Sequence, residues 1–383
     1  MTSVMSQGAR TRRRVELLRQ VSAAGTATDV FAVASRSLHE LVQHDAATWL
    51  STDPVTGLPT APSLLDDFSA PVDVCTEHWH REFVRPDFNR FQDLARAGRP
   101  AAALQDTTGD PARSSRFRWF TRPMGFGDEL RAVLRVGEVP WAIVALWRRE
   151  GQPAFSAAEA ELVAGLSLPL GDTLRRLVLE DVADGIGTIG EAPGMLMFDE
   201  RCRLVSANEH AVAWLDELPL HEPVPTRFGL QLPLWLLVTA VRARDSLVRG
   251  GDGIARSRVR SRRGQWVVGH ASTTYDADGS PAGTAVVLEP ANPAMLAPIL
   301  VEAYALTERE REITRLIARG ARTAEIARRL YLSSHTVRDH VKAILAKVGV
   351  SSRGELVATL YRTEFEPAHF AGFTTTLDQG SLR

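Results

Sequence analysis

The amino-acid sequence predicts an α+β multidomain protein in which two mixed α/β domains precede an all-α module of four short helices. The length of 383 residues corresponds to two or three domains at roughly 150 residues each. The hydrophobic fraction of 44% and the charged fraction of 24% are ordinary for a soluble globular protein. Strand-type and helix-type patterns alternate as far as residue 290, whereas only helix-type patterns follow it.

The first α/β domain is predicted from helical patterns placed around a candidate sheet. Residues 1–11 are expected to be a disordered start, and two helical patterns follow up to Val42. Ala46–Ser51 has the composition of a strand. Leu130–Val136 and Trp141–Trp147 are apolar runs joined by a glycine-containing turn, which predicts a β-hairpin.

A closing helix is predicted after this hairpin, because Ser156 and Glu159 have the Ser-x-x-Glu spacing of a capping box. An opening helix, a central sheet and a closing helix introduced by Phe155–Glu159 together resemble a GAF domain over residues 12–178. The resemblance implies a sensor-type domain that encloses a ligand or forms dimers. The Trp and Phe residues of this half are interpreted as core rather than as a ligand cage.

The second α/β domain is predicted over residues 185–290. Gly194–Asn208 has the pattern of strand, turn and strand, and Leu232–Val248 is one apolar helix. Two further strand patterns flank the turn sequence Asp276–Ser280. The first pattern, which ends in Ala-Asn, and the long closing hairpin resemble a PAS domain, a second sensor-type fold. The prolines that follow predict a linker over residues 291–305.

Residues 306–362 divide into four short helices with recognisable ends. Thr307 and Glu310 form a capping box for the first helix, and Gly320 ends it. Thr323 is expected to cap the second helix. Ser333 is expected to cap the third helix, Ser334–Val348, and Gly349 to end it. The remaining residues, 363–383, are predicted to be a flexible tail.

The second and third of these helices are joined by a three-residue turn, which is the spacing of a helix-turn-helix. On a helical wheel at ~100° per residue, the apolar residues of the third helix gather on one face and the cationic residues lie opposite. Arg338 can bind guanine with two hydrogen bonds, and Lys342 can donate to the same acceptors. The residues expected to form the scaffold of the motif are Thr323, Glu325, Ile326, Ala327, Leu330, Val337, Val341 and Ile344.

The charge of this module differs from that of the rest of the chain. Residues 306–362 hold twelve basic and six acidic residues, a net charge of +6, whereas the whole chain carries −1. Phosphate neutralisation drives non-specific affinity for DNA. The charge distribution therefore favours a nucleic-acid partner for this module.

Four phrases of the module are similar to the LuxR-type helix-turn-helix. The family pattern L-T-x-R-E-R-E, E-I-A-x-x-L, S-x-x-T-V-x-x-H-V-x-x-I-x-x-K and R-x-E-L matches Leu306–Glu312, Glu325–Leu330, Ser333–Lys347 and Arg353–Leu356. This chain departs from the family at Arg322, where many members have a small polar capping residue. The resemblance implies that three residues face the bases of the major groove, namely Arg338, Asp339 and Lys342. It implies phosphate-contacting or supporting roles for Ser334, His335, Thr336, His340 and Lys347.

Lysine is nearly absent, and its absence excludes several classes of protein. Only Lys342 and Lys347 are present among 45 basic residues. Residues 1–341 therefore lack the lysine of a phosphate-binding P-loop, of a Schiff-base enzyme and of a protein kinase. A phosphoacceptor receiver domain would be expected to carry a lysine as well.

No other residue cluster predicts catalysis, a metal or a cofactor. His78 and His80 lie near Cys75 without a common zinc spacing, and Cys202, the other cysteine, is far away. No nucleophile accompanies the adjacent acids of the chain, so an enzyme is not expected. No run approaches the ~20 apolar residues of a membrane span, and the N-terminus lacks a signal-peptide core. A cytoplasmic location without membrane contact is therefore expected.

The sequence thus predicts a one-component transcriptional regulator that binds double-stranded DNA in a sequence-specific way. Its N-terminal domains would sense a ligand, whose identity stays open, or mediate dimerisation. A homodimer is the expected form, and RNA polymerase is a further candidate partner. The alternative is a signalling scaffold whose helical module docks a protein instead of DNA. An enzyme with an appended DNA-binding module is a third possibility, for which the sequence offers no catalytic cluster.

Overall fold

The computed structural model describes residues 7–184, 192–219, 224–248 and 250–361. These residues fall into two compact units. The first unit contains the described residues up to 181 and those of 192–290, and the second contains 182–184 and 291–361. Among the described residues, no helix is long and apolar enough to cross a membrane.

The first half of unit one is a five-stranded antiparallel sheet with helices around it. Its sheet order is β2-β1-β5-β4-β3. Its elements are α1 (Gln7–Ser22), α2 (Ala27–Leu41), β1 (Ala46–Thr52), β2 (Pro59–Asp66), α3 (Val72–Val84), α4 (Phe91–Arg96), β3 (Ala101–Ala103), α5 (Leu104–Thr108), β4 (Phe126–Val136), β5 (Val139–Arg149) and α6 (Ala157–Asp184).

The predicted hairpin and capping box are both present in this half. Strands β4 and β5 pair in an antiparallel register that places Val136 opposite Val139. The Ser156 hydroxyl accepts from the Glu159 amide, and the Glu159 carboxylate accepts from the Ser156 amide. The start of the chain differs from the prediction, because α1 already begins at Gln7. No proline interrupts residues 7–11, so the helix that buries Leu17 extends back through them. Residues 1–6 lie outside the described residues.

The second half of unit one repeats the same sheet order with its own strands. Read from one edge, the order is β7-β6-β12-β11-β10, and all neighbours are antiparallel. The predicted long hairpin is formed by the last two strands, and the predicted apolar helix is α8. The elements are β6 (Gly194–Phe198), β7 (Leu204–Ala207), α7 (Glu209–Glu217), β8 (Val224–Pro225), β9 (Gln231–Leu232), α8 (Leu234–Val248), β10 (Ile254–Arg260), β11 (Trp266–Tyr275) and β12 (Pro281–Pro290).

The two halves share one core, whereas the sequence predicted two separate domains. Helix α8 packs against β10 and β11 of its own sheet and also against α3 and β2 of the first half. Ten of its fifteen residues are buried. A helix that is apolar all round has to be covered on more than one side, which explains the fusion. A buried ion pair also joins the halves, since Arg258 Nη1 lies 2.7 Å from Asp53 Oδ2.

Unit two is an all-α module of five helices among the described residues, one more than predicted. The predicted linker over 291–305 is largely the helix α9, so that prediction is wrong. The Asn292 side chain caps α9, and Pro293 occupies its first turn, where a missing N–H costs nothing. Leu300, Val301 and Tyr304 pack on the core of the module. The helices are α9 (Pro293–Ala303), α10 (Glu308–Ala318), α11 (Thr323–Leu330), α12 (Ser334–Val348) and α13 (Arg353–Tyr361). The predicted tail over 363–383 lies outside the described residues.

Candidate nucleic-acid interface

Helices α11 and α12 form a helix-turn-helix whose turn is residues 331–333. Tyr331 adopts a left-handed backbone conformation with φ of 55° and reverses the chain. The Ser333 hydroxyl accepts a hydrogen bond from the Thr336 amide at 3.0 Å. Helix α12 therefore begins at Ser334, and it ends before Gly349, where φ is 75°.

The start of α11 differs from the prediction that Thr323 caps it. Arg322 occupies the N-cap position, and its side chain makes no capping hydrogen bond. Thr323 is the first helical residue, and its hydroxyl accepts from Arg353 Nη2 at 2.9 Å. Because Arg322 already has the extended conformation of an N-cap, Thr323 is free to tie α11 to α13.

The scaffold residues of the motif lie mostly in the core of unit two. Leu330 is half-buried and packs on that core. Glu325 is the exception, because it is exposed in the first turn of α11. An acid at a helix N-terminus complements the helix dipole, so its contribution is electrostatic rather than packing. The buried scaffold residues are Ile326, Ala327, Val337, Val341 and Ile344.

The face of α12 opposite this core carries exposed polar side chains. Arg338, Asp339 and Lys342 are all exposed. His335 Nδ1 lies 2.9 Å from Asp339 Oδ2, one helical turn away, and both side chains are mostly exposed. Within the described chain, Arg338 and Lys342 make no side-chain hydrogen bond or ion pair, so both are available to an external partner.

The other candidate residues of α12 occupy different environments. Ser334 is exposed, and His340 is half-buried. The Thr336 hydroxyl lies 2.8 Å from that of Ser333 and belongs to the helix cap. Lys347 Nζ donates to Glu310 Oε2 at 2.6 Å, which links the end of α12 to the start of α10.

The Glu310 carboxylate supports the module through two contacts, of which the pairing with Lys347 was not foreseen from the sequence. Its carboxylate accepts from the Thr307 amide at 2.7 Å and from Lys347. Burial alone would raise the pKa of Glu310, but the hydrogen bonds from Lys347 and Thr307 outweigh it and hold the pKa below its usual value. The capping-box spacing identified the Thr307 contact, whereas the 37-residue separation from Lys347 left no local signal.

The cations of unit two separate into paired and unpaired groups. Arg309 pairs with Glu312, and Arg311 pairs with Glu302. The unpaired group makes no side-chain hydrogen bond or ion pair within the described residues, and all its members are exposed. A cluster of uncompensated cations is the electrostatic feature that a polyanion recognises. The members are Arg315, Arg319, Arg322, Arg328, Arg329, Arg338 and Lys342.

The described histidines of unit one do not belong to a cluster that could hold a metal ion. The described part of the chain holds no group of three or more His, Cys, Asp or Glu residues arranged for a metal ion. His80 Nδ1 instead lies 2.8 Å from Asp245 Oδ1.

Comparison with known proteins identifies unit two. Residues 304–360 match the family described as bacterial regulatory proteins, luxR family. The spore germination protein GerE of Bacillus subtilis is 42% identical over 57 residues, which cover 15% of this chain and 77% of GerE. The transcriptional regulatory protein DesR of the same organism is 40% identical over 65 residues, which cover 17% of this chain and only 33% of DesR.

A solved structure is similar over a longer stretch but only distantly. Escherichia coli SdiA aligns over 92% of this chain and 97% of its own, with 12% identity and a TM-score of 0.34. The match of the helix-turn-helix segment places the chain in the LuxR family of bacterial regulatory proteins.

Proposed function

We propose that this chain is a one-component transcriptional regulator that reads a specific DNA sequence with α12. The observation that carries the proposal is the pair of exposed, unpartnered cations Arg338 and Lys342 on the face of α12 opposite the core. A recognition helix needs such a face to enter the major groove. Asp339 lies between them and can accept from cytosine.

The remaining polar residues of α12 are assigned to phosphates or to support. Ser334 and His335 lie exposed in the first turn of α12, and the N-terminus of a helix can donate hydrogen bonds to DNA phosphates. Thr336 and Lys347 hold the helix itself through the cap and the Glu310 contact. His340, which is half-buried, is assigned to support or to one phosphate.

The regulator is proposed to act in the cytoplasm as a homodimer on an inverted repeat. Two copies of α12 would then lie about 34 Å apart, one turn of DNA. Unit one, with its GAF-like and PAS-like halves, would sense a ligand or mediate dimerisation. RNA polymerase is the candidate partner for the transcriptional output.

The test is duplex binding by fluorescence anisotropy, with operators selected from a random pool. R338A and K342A are each expected to weaken binding by about 1–3 kcal/mol, or roughly five- to 150-fold, and to relax the preference at one base pair. R309A removes a cation already paired with Glu312 and serves as the matched control. A double variant R338A/K342A with unchanged affinity and preference would disprove the readout assignment.

The salt dependence of duplex binding distinguishes DNA recognition from the alternative function, a scaffold that docks protein. Release of counterions makes the logarithm of a DNA association constant fall steeply with the logarithm of salt concentration. Duplex binding that is absent, or insensitive to salt, would favour the scaffold.

A further inference from the structure

Unit one contains a partly open cavity of about 410 Å³, which is within the range of small-molecule sites. Its walls include five aromatic side chains, so the first-half aromatics predicted as core are in part cavity-lining. Two of them stack on each other, since the Phe68 and Trp147 ring centroids lie 4.5 Å apart. The aromatic lining residues are Phe68, Trp79, Phe91, Phe120 and Trp147.

The cavity is lined by both halves of unit one. Most of its lining comes from the first half, chiefly from its sheet, from α3 and from residues 68–71. Val224 and Pro225 come from β8, and Leu234 comes from the start of α8. An occupant would therefore contact residues on both sides of the shared core. Its binding free energy would stabilise the two halves against separation.

The charges beside the cavity cancel. Among the described residues that line the cavity, Arg131 is the one with a permanent charge, and it is almost fully buried. Its Nε donates to Glu129 and its Nη1 to Glu82, at 2.8 and 2.7 Å. Arg116 Nε donates to the second oxygen of Glu129 at 2.8 Å. Two guanidinium groups and two carboxylates therefore leave no net charge for an ionic ligand to neutralise.

His78, another lining residue, adds no charge at neutral pH. Burial lowers its pKa to about 3, and the neighbouring Arg131 acts in the same direction. Its Nε2 lies 3.4 Å from Arg131 Nη2. The neutral imidazole and the Arg131 guanidinium thus offer polar contacts on a mainly apolar wall, beside the hydroxyls of Thr48 and Ser69.

We propose that this cavity is a binding site for an uncharged, planar aromatic molecule and that it is formed jointly by the two halves of unit one. Aromatic walls favour a planar ring through stacking and edge contacts. A carboxylate would bring an uncompensated negative charge to a neutral, buried cluster, and an ammonium group would face the Arg131 guanidinium. This proposal depends on the proposed function in one respect only, namely that the bound molecule is the signal of the regulator.

The probes are three molecules of similar shape and different charge, namely naphthylmethanol, naphthoate and naphthylmethylammonium. Isothermal titration calorimetry on the full chain is expected to give binding of the alcohol, with the two ions at least about tenfold weaker, which is about 1.4 kcal/mol. Tighter binding of either ion would overturn the ligand class. Failure of all three probes to bind would overturn the site.

Two variants test where the site lies. A145F places a ring in the cavity that Ala145 lines and is expected to abolish binding of the alcohol. L234A truncates the wall given by α8 and is expected to weaken binding about tenfold. L236A, a buried position of the same helix that does not line the cavity, is the matched control. Loss of binding in A145F with no effect of L234A would assign the site to the first half alone and overturn the joint site.

Alkylation of Cys75 gives a readout that does not depend on heats of binding. Cys75 lines the cavity, whereas Cys202 is buried and burial raises the pKa of its thiol to about 11. A maleimide should therefore modify Cys75 first, and naphthylmethanol should slow that reaction. An unchanged alkylation rate at saturating alcohol would count against the site. None of these assays contains DNA, so their failure leaves the assignment of α12 intact, and a failure of DNA binding leaves the cavity proposal intact.

Discussion

The buried ion pair between Asp53 and Arg258 provides a direct test of how the two halves of unit one are held together. The partners are 205 residues apart in sequence, and their side chains are 0% and 3% exposed. Asp53 Oδ1 also accepts from the amides of Val55 and Thr56, at 2.9 and 3.2 Å. Removing either partner leaves a buried charge without its counter-ion.

The two single variants are expected to differ in cost. R258M leaves the Asp53 carboxylate with its two amide donors, so we expect a loss near the lower end of the range for a broken buried pair, about 3 kcal/mol. D53A leaves the guanidinium buried and also removes the acceptor of both amides. Each of those hydrogen bonds contributes about 1 kcal/mol, so we expect a loss of about 5 kcal/mol.

The assay is guanidinium unfolding of the full chain followed by tryptophan fluorescence. All eight tryptophans precede residue 290 and lie in unit one, so this signal reports that unit alone. R203M, which removes the arginine of the exposed pair with Asp199, is the matched control and should cost less than about 1 kcal/mol. If R258M costs no more than R203M, or if D53A costs no more than R258M, the reasoning is refuted.

Three further predictions concern unit two. Unfolding is followed by circular dichroism at helix wavelengths, and tryptophan fluorescence reports the unfolding of unit one separately. Because the pKa of Glu310 is lowered on folding, its contribution to stability is present above the unfolded pKa near 4.5 and is lost as the pH falls through the folded value. E310Q should therefore lower the free energy of unfolding at pH 7 and weaken its dependence on pH in the acid range. An unchanged pH dependence in that range would contradict this. L300A should destabilise unit two by about 1–3 kcal/mol, because Leu300 joins α9 to the module core; a neutral result would restore the linker interpretation of residues 291–305. Y331G should stabilise unit two by up to about 1 kcal/mol, since Tyr331 is 96% exposed in a left-handed conformation that glycine adopts without strain; a loss of stability would show that the ring makes a contact of its own.

Local patterns predicted the helix-turn-helix closely. The boundaries of α12, the Ser333 cap and the Gly349 end all follow from residues within a few positions of each other, and such signals are readable without tertiary information. The same reasoning failed at α9, because Pro290, Pro293 and Pro298 were weighed as helix breakers although only the last two lie in the helix. Pro293 occupies the first turn, where proline is tolerated, and packing by Leu300 and Val301 outweighs the hydrogen bond lost at Pro298.

The candidate DNA contacts show which features of the site local sequence patterns can predict and which they cannot. Arg338 and Lys342 could be selected on a helical wheel, because one helix fixes both their spacing and their direction. The sequence could not show that Lys347 is held by Glu310, because that partner lies on another helix. Which cations remain unpaired depends on how α10 and α12 pack.

The sequence by itself determined the family, the basic character of residues 306–362 and the ends of the recognition helix, since these depend on composition and on contacts within one or two helical turns. The tertiary structure alone decided that the two sheet regions form one unit, that α8 and β8 join first-half aromatics in lining a cavity, and that its charges cancel. Those properties depend on side chains that lie far apart along the chain, such as Arg131 with Glu82 or Arg258 with Asp53. Only folding makes such pairs neighbours, so no local pattern encodes them.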